Sequence, residues 1–255
     1  MTTTGRFDGK VVIITGGATG MGLAAARRLA AEGAAVAVAG RRKDVGQQAV
    51  ESIRAAGGTA LFVQTDVTVE SEVAALVGAT VREFGRLDAA FNNAGGGSAF
   101  GPLADLDGDG FAADVAQNLH SVFYSLKHEV PAILASGGGA VLNNASNLGL
   151  VGMAGAAPYV AAKHGVVGLT RSAALELAPR GVRVNALATG GVDTPMFRGS
   201  MGATPEGAEH IAALHPMGRV AQPDEIAGFV AYLLSDEATF VTGAALSIDG
   251  GWTAQ

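Results

Sequence analysis

The 255-residue sequence contains no cysteine, and only 16% of its residues are charged and 5% aromatic. Without cysteine there is no disulfide framework and no thiolate metal site, so the fold depends on packing alone. A formal net charge of −6, with scattered basic residues, argues against a nucleic-acid surface. No apolar run reaches the roughly 18 residues of a membrane-spanning helix, and MTTTGRFDGK does not read as a secretory signal. We therefore expect a cytoplasmic protein with a small-molecule partner.

Short runs rich in Val, Ile, Ala and Leu recur along the chain, and segments of helical character separate them. Most runs are continuously apolar, which is typical of strands covered on both faces. The alternation predicts one α/β domain over residues 1–255, a Rossmann-like, doubly wound parallel sheet with helices on both faces. Ligands of such sheets bind beyond the carboxyl ends of the strands. The seven runs lie at 10–16, 34–40, 60–66, 87–95, 139–146, 182–190 and 244–250.

The segment 191–222 departs from this alternation, because it is too long for an ordinary connection. Its glycines, prolines and methionines suit a mobile lid over a binding cleft. The alternative is a surface excursion with no lid role.

A glycine-rich turn, TGGATGMG at residues 15–22, joins the first run to a helical segment. Its glycines let the turn bend tightly and let a ligand approach the backbone, while the positive end of the following helix favours an anionic pyrophosphate. Taken alone, the turn could equally be a strand-to-helix connection that binds nothing.

A tyrosine and a lysine stand one helical turn apart in YVAAK, residues 159–163. Positions i and i+4 share a helix face, so Tyr159 and Lys163 can reach the same point in space. A free tyrosine ionises near pH 10, and a nearby ammonium favours the phenolate. We therefore expect Lys163 to lower the pKa of Tyr159, so that its phenol acts as a general acid or base near neutral pH.

With this spacing the chain resembles the short-chain dehydrogenase/reductase family over roughly residues 8–252. The turn has the pattern TGxxxGxG rather than GxGxxG. Further shared motifs are DV at 66–67, NNAG at 92–95, the asparagine of QNLHSVF, Ser146 before Tyr159, YVAAK, and IDGG at 248–251.

The resemblance implies a nicotinamide dinucleotide cofactor, with Asp66 and Val67 flanking its adenine and Lys163 hydrogen-bonding its ribose. NNAG would line the pocket beside the glycine turn. The cofactor contacts carried over are Gly16, Thr19, Gly20, Met21, Gly22, Asp66, Val67, Asn93, Ala94, Gly95, Tyr159, Lys163, Gly190, Val192 and Thr194.

The chain departs from the family at Thr189-Gly190, where the family has a Pro-Gly pair that seats the nicotinamide amide. Thr189 keeps its N–H and permits more backbone freedom than proline. Nicotinamide positioning is therefore expected to be looser than is usual in the family.

The end of the second run bears on the choice of cofactor. An NAD site usually has an acidic residue there, which takes the ribose hydroxyls, but this sequence has Gly40 followed by Arg41, Arg42 and Lys43. Arginine can form a bidentate, charge-assisted contact to a 2′-phosphate. We therefore favour NADP(H), with Arg41 as the main contact and Arg42 beside it. The alternative is that these are solvated surface charges and the cofactor is NAD.

The family's catalytic tetrad is complete in Asn118, Ser146, Tyr159 and Lys163. Ser146 would hold the substrate oxygen beside the phenol. In the family the asparagine interrupts helix hydrogen bonding and fixes a water beside the lysine. Each residue also has a structural alternative, because serines end strands, tyrosines pack in cores and asparagines bond their neighbours.

The substrate pocket is expected to be mostly apolar, which favours an uncharged ketone or secondary alcohol. Arg198 and Arg219 would leave an anionic substrate open if either turned inward. His164 is interpreted as structural, and His210 and His215 do not have the spacing of a metal site, so no metal is expected. The expected pocket residues are Gly96, Ser98, Phe100, Asn147, Leu148, Leu150, Met153, Met196 and Phe197.

Two rival functions are an NAD-dependent alcohol dehydrogenase and a non-catalytic dinucleotide-binding sensor. A phenol one turn from a lysine argues against the sensor, because binding alone does not require it. Members of the family usually form tetramers, so a homotetramer is the expected assembly.

Overall fold

A computed structural model describes residues 5–255, in which seven strands form one parallel sheet of order β3-β2-β1-β4-β5-β6-β7. Each apolar run coincides with one of these strands to within a few residues, β3 beginning one residue before its run, so the predicted doubly wound sheet is confirmed. The strands are β1 Val11–Thr15, β2 Ala35–Gly40, β3 Thr59–Gln64, β4 Ala89–Asn92, β5 Gly139–Asn144, β6 Val182–Thr189 and β7 Ala245–Ile248.

Helices connect the strands and cover both faces of the sheet. In this part of the chain the α-helices are α1 Gly20–Ala31, α2 Lys43–Ala55, α3 Glu70–Phe84, α4 Gly108–Val115, α5 Ser121–Ala135, α6 Ala157–Leu177, α7 Pro195–Arg198, α8 Pro205–Ala213 and α9 Pro223–Leu234.

The strand order reverses at β1, which pairs with β2 on one side and with β4 on the other. In a doubly wound sheet the connections leave this switch point in opposite directions, so a crevice opens beyond the carboxyl ends of the two strands. The glycine turn follows β1 and NNAG ends β4, so both motifs lie at this crevice.

Alternate residues of β1 face two separate hydrophobic cores. Val12 and Ile14 belong to the core that includes α1 and α9, whereas Val11 and Ile13 belong to the core that includes α3, α5 and α6. Because successive side chains of a strand point to opposite faces, a strand between two helical layers must be apolar at every position. This explains the continuous apolar runs.

The expected lid segment, 191–222, contains α7 and α8 and is closed at its base. Val192 and Ala221 form a parallel bridge, Asp193 N donates to Ala221 O at 2.9 Å, and Ala221 N donates to Gly191 O at 2.9 Å. The segment is therefore an excursion whose two ends are hydrogen-bonded to each other, and its movement as a lid stays a prediction.

Within residues 5–255, no helix combines the length and the apolarity that crossing a bilayer requires.

Candidate active site

The glycine turn is held against the end of β4 by the side chain of Thr15. Its Oγ1 accepts hydrogen bonds from Asn93 N at 3.0 Å and Ala94 N at 3.1 Å. Asn93 Nδ2 donates in return to Thr15 O at 3.1 Å. These hydrogen bonds therefore join the end of β1 to the residues that follow β4, and the two form one wall of the crevice.

Three positions of the turn accept only glycine for steric reasons. Gly16 and Gly20 have positive φ, 65° and 54°, and a Cβ at Gly20 would lie 3.0 Å from Thr194 Cγ2. A Cβ at Gly22 would collide with Gly16 O. The backbone is thus open where α1 begins, and this cradle at a helix N-terminus fits the pyrophosphate of a dinucleotide.

Ser146 follows β5 with strained backbone geometry. Its φ of 58° and ψ of 157° make it the one non-glycine residue with positive φ among residues 5–255. This region is essentially restricted to glycine and costs about 1–3 kcal/mol, so it persists only where surrounding contacts impose it. The Oγ of Ser146 accepts from Leu148 N at 3.3 Å and donates to Asn147 Oδ1 at 3.2 Å.

Tyr159 and Lys163 both lie in the first two turns of α6, which begins at Ala157 with Pro158 next to it. The ammonium of Lys163 lies 5.5 Å from the centroid of the Tyr159 ring and donates to Asn144 O at 2.7 Å. Burial lowers the pKa of Lys163 to about 8, because the charged form loses hydration. The expected approach of the two side chains is present.

The expectation that the pKa of Tyr159 falls toward neutral is wrong for this structure. Burial raises the pKa of Tyr159, the hydrogen bond with Ser146 lowers it by less, and the negative charge of Asp114 raises it further. The ammonium is directed at Asn144 O and is itself partly desolvated, so it does not offset the burial of the phenol. The side chains of the protein therefore keep Tyr159 protonated at neutral pH.

Asn118 lies in a π-helical turn, Ala116–His120, between α4 and α5. Its Nδ2 donates to Asp114 O at 2.9 Å and to Gly96 O at 2.8 Å, while its Oδ1 accepts from Gly96 N at 3.0 Å. A Cβ on Gly95 would lie 2.8 Å from Asn118 Oδ1 and 3.3 Å from Lys163 Nζ. The interruption of helix hydrogen bonding implied by the resemblance is thus present, and Asn118 fixes the loop beside Lys163.

One cavity of about 450 Å³ brings most of the predicted residues together. This volume is within the usual range for small-molecule sites. The predicted residues that line it are Gly16, Thr19, Gly20, Met21, Arg41, Arg42, Asp66, Val67, Asn93, Ala94, Gly95, Gly96, Phe100, Ser146, Asn147, Leu148, Met153, Tyr159, Lys163, Gly190, Val192, Thr194, Met196 and Phe197.

Four predicted residues do not line this cavity: Gly22, Ser98, Asn118 and Leu150. Gly22 packs against the backbone of Gly16 inside the glycine turn, and Asn118 hydrogen-bonds the backbone of Gly96 beside the cavity. Ser98 turns away because its N and Oγ donate to the buried carboxylate of Asp114, at 2.9 and 2.7 Å. Arg198 and Arg219 pair with Asp193 and Glu225 and do not turn inward.

The end of the cavity near β2 carries the cationic residues. Arg41 and Arg42 are exposed and line the cavity, and Gln64 Nε2 donates to Arg41 O at 3.0 Å. Burial opposes ionisation of Asp66, but hydrogen bonds from the Thr68 hydroxyl and N–H, together with the Arg41 charge, lower the pKa of Asp66. The charge of Arg41 therefore acts on Asp66 as well as on the end of the cavity that it lines.

The loop after β6 is more restrained than the missing proline suggested. Thr189 is buried, pairs with Ile248 of β7, and donates from Oγ1 to Asn144 Oδ1 at 3.3 Å. Gly190 N donates to Ile248 O at 3.2 Å. Side-chain and sheet hydrogen bonds thus hold the backbone that proline stiffens in the family.

Sequence reasoning missed Asn144 and Trp252, both of which line the cavity. The backbone carbonyl of Asn144 accepts a hydrogen bond from the Lys163 ammonium, and its side-chain Oδ1 accepts one from the Thr189 hydroxyl. The paired asparagines in VLNNAS were a signal, since polar residues at the end of an apolar strand face the ligand side of the sheet. Trp252 follows IDGG and gave no comparable signal.

Comparison with known proteins agrees with this geometry. The family model described as enoyl-(acyl carrier protein) reductase matches residues 16–253. The chain is 43% identical over 250 residues to cyclohexanol dehydrogenase of Acinetobacter sp. (strain SE19), covering 98% of this chain and 97% of that protein.

Solved structures are also similar to this chain. Levodione reductase superposes with a TM-score of 0.94 at 39% identity, covering 98% of this chain and 99% of the other. A variant of actinorhodin polyketide ketoreductase with NADPH superposes with a TM-score of 0.91 at 38% identity, with the same coverage.

Proposed function

The chain belongs to the short-chain dehydrogenase/reductase family, an oxidoreductase family that uses a nicotinamide dinucleotide, and from this premise we propose that it is an NADP(H)-dependent enzyme that interconverts a ketone and a secondary alcohol. The observation that carries the proposal is the convergence of Ser146, Tyr159 and Lys163 in one cavity with the glycine cradle. Binding alone does not require that constellation.

When bound, the nicotinamide supplies or accepts the hydride. Tyr159 supplies the proton: in the reductive direction its protonated phenol donates to the substrate oxygen as negative charge develops there. The raised pKa of Tyr159 suits this direction, because burial keeps the proton on the phenol until it is needed. The Ser146 hydroxyl, which lines the same cavity as the phenol, holds the same oxygen in place.

Lys163 and Asn118 support the phenol from behind. With a pKa of about 8, Lys163 is mostly an ammonium at neutral pH and stabilises the phenolate left after proton transfer. Asn118 fixes the Gly95–Gly96 backbone beside that ammonium, which keeps the lysine directed toward Asn144 O and the tyrosine.

The preference for NADP(H) is supported by the cavity end near β2. Gly40 offers no carboxylate to repel a 2′-phosphate, while Arg41 and Arg42 line the cavity there. The structure of the ketoreductase with NADPH gives a similar protein that binds this cofactor. An NAD-dependent alcohol dehydrogenase is the second candidate, favoured by the attraction between Arg41 and Asp66.

The substrate is proposed to be an uncharged cyclic ketone or alcohol. The catalytic end of the cavity is lined by Leu148, Met153, Met196 and Phe197, and among residues 5–255 the one cationic side chain there is Lys163. A six-membered ring fits an apolar wall of this kind, and the name of cyclohexanol dehydrogenase supports that class.

The test is absorbance-monitored turnover with NADPH and NADH, separately, against cyclic and acyclic ketones, and with the oxidised cofactors against the matching alcohols. Tyr159→Phe removes the proton donor and is expected to lower kcat by about a thousandfold, while Tyr232→Phe, on the surface of α9, is the matched control. Cofactor binding without turnover of any substrate would favour the sensor. Faster turnover with NADH would favour the NAD-dependent dehydrogenase.

We further propose a cytoplasmic homotetramer. Apolar side chains on the outer faces of α4, α5 and α6 support the assembly, because Phe111, Phe123 and Leu175 are all exposed in the single chain. Light scattering coupled to size-exclusion chromatography measures the subunit number, and a monomer would contradict the assembly.

A further inference from the structure

A buried histidine joins the expected lid to the loop that follows β6. His215 lies just after α8, only 3% of its surface is exposed, and its ring faces the backbone of that loop. Its Nε2 is 2.9 Å from Gly191 N, and its Nδ1 is 2.8 Å from Ile211 O. Neither the catalytic set nor the cofactor contacts described above include this side chain.

The two hydrogen bonds determine the protonation state of the ring. A carbonyl oxygen can only accept, so Nδ1 must carry a hydrogen and donate to Ile211 O. A backbone N–H can only donate, so Nε2 must offer its lone pair to Gly191 N. His215 is therefore neutral, in the Nδ1–H tautomer, and a second proton would remove the acceptor for Gly191.

The His215 ring packs against backbone that lines the cavity. A Cβ on Gly190 would lie 2.6 Å from His215 Nε2, and a Cβ on Gly191 would lie 3.2 Å from His215 Cε1. Gly190, Gly191 and Val192 line the cavity at the position where the family seats the nicotinamide. The imidazole thus packs directly behind this backbone, where proline is absent.

We propose that His215 is a positioning residue: its neutral imidazole fixes the loop 189–192 to α8, and so holds both the nicotinamide-binding backbone and the base of the lid. This inference rests on the proposed function for its consequence in catalysis. Protonation of Nε2 removes the hydrogen bond from Gly191 N, because the two N–H groups then face each other and repel. The loop is thereby released from α8.

The charged neighbour of His215 is Asp249, at the end of β7. Burial opposes ionisation of Asp249, but hydrogen bonds from Thr253 and Gly251 and the charge of a protonated His215 lower its pKa. The ring is also contacted by uncharged groups, namely Trp252, Gly190, Gly191, Gly250 and Ile211. A second proton on His215 would be attracted by the Asp249 carboxylate, but it would occupy the nitrogen that accepts from Gly191 N.

Trp252 gives this site its own spectroscopic signal. It is the single tryptophan of the chain, and its ring meets His215 edge-on with centroids 5.0 Å apart. A protonated imidazole quenches indole fluorescence, so the emission of the protein reports the protonation of one histidine. This readout does not depend on catalytic activity.

The experiment compares three variants of His215. Gln places an amide oxygen near the position of Nε2 and restores an acceptor for Gly191, Asn retains only a donor near Nδ1, and Phe fills the volume with neither. Because a buried N–H without an acceptor destabilises the loop conformation that binds the cofactor, Asn and Phe are expected to weaken cofactor binding about tenfold, measured by calorimetry, whereas Gln stays near wild type. His210→Gln, on the exposed side of α8, is the matched control.

The pH dependence separates positioning from a general structural role. On acidification the wild type is expected to lose Trp252 emission and cofactor affinity over the same transition, and His215→Gln is expected to lose both changes while His210→Gln keeps them. Identical affinity profiles for the wild type and His215→Gln, or full binding by His215→Phe, would overturn the inference. A wild type that binds no cofactor at all would instead refute the proposed function, while the emission transition would still test the protonation of His215.

Discussion

Two buried ionisable side chains come from α5 and α6, which pack on the same face of the sheet, and only one of them is placed for chemistry. Lys163, 2% exposed, lies at the catalytic end of the cavity, whereas Glu129 of α5 is completely buried in the core. Burial lowers the pKa of Lys163 to about 8 and raises the pKa of Glu129 to about 7. By the criterion of a perturbed pKa alone, both would be candidate catalytic residues.

Their surroundings differ in what the charge can contact. Lys163 donates to Asn144 O and faces the phenol of Tyr159 at the cavity wall. Glu129 contacts no part of the cavity; its Oε2 accepts from Asn92 Nδ2 at 3.0 Å. Desolvation therefore shifts the pKa of both side chains, but only the side chain that lies at the cavity can take part in a reaction there.

Glu129 belongs instead to a polar network beneath the site. Asn92 Nδ2 also donates to Asn143 Oδ1, and Asn143 Nδ2 donates to Thr170 Oγ1, each at 3.0 Å. Among the described residues, Glu129 Oε1 and Asn92 Oδ1 find no hydrogen-bond donor. Protonation of Glu129 removes the charge from an oxygen that has no donor, so the neutral acid is the form that this network accommodates. The network connects α5, β4, β5 and α6 below the catalytic residues.

The largest expected effect is a loss of kcat on substitution of Lys163, the buried ionisable residue that reaches the cavity. Lys163→Met removes the charge behind Tyr159 and is expected to lower kcat by about a hundredfold or more, because the phenolate loses its electrostatic partner. The free energy of unfolding should change little, since removal of a buried charge offsets the lost bond to Asn144 O. Steady-state kinetics and urea unfolding measure the two quantities, and wild-type turnover by Lys163→Met would contradict the role.

The next effect belongs to Glu129 and concerns stability rather than rate. A carboxyl whose pKa is raised on folding, from 4.5 to about 7, contributes stability that is complete below pH 4.5 and is lost as pH rises toward 7. The loss amounts to roughly 3 kcal/mol by pH 8. Glu129→Gln resembles the neutral acid and is expected to remove this loss, so it becomes more stable than the wild type only at the higher pH.

Urea unfolding from pH 4.5 to pH 8 measures this difference. Glu83→Gln, an exposed carboxylate of α3, is the matched control and should follow the wild type throughout. Parallel curves for the wild type and Glu129→Gln would mean that Glu129 ionises in the core without cost. Turnover by Glu129→Gln should remain that of the wild type, in contrast to Lys163→Met.

The smallest expected effect is a difference in stability at Ser146, a third residue of the site, whose backbone is strained but which carries no charge. Ser146→Gly and Ser146→Ala both lose the hydroxyl and should lower kcat equally. Only glycine relieves the backbone at φ 58°, so Ser146→Gly is expected to be more stable than Ser146→Ala by about 1 kcal/mol, after the greater entropy of unfolded glycine is subtracted. Thermal unfolding of the two variants measures it, and a more stable alanine variant would show that the backbone is not strained.

The parts of the site that could be predicted are those written within short stretches of chain. The approach of Tyr159 and Lys163 follows from helical spacing, and the glycine cradle follows from one turn after one strand. Asn144 was missed because its role comes from a carbonyl and an amide that meet side chains from α6 and β6. Ser98 was placed in the pocket because the sequence does not show that Asp114 turns it away.

By itself, the sequence determined the alternation of buried strands and helices, the open backbone of the glycine turn, and the presence of a phenol one turn from an ammonium. Only the tertiary structure decided which buried charge reaches the cavity, which way the pKa of Tyr159 moves, and which backbone His215 holds. Burial and hydrogen bonding depend on distances between residues far apart in the chain, such as Asn92 and Glu129 or Gly191 and His215. Such distances are set when the elements pack, and local periodicity carries no information about them.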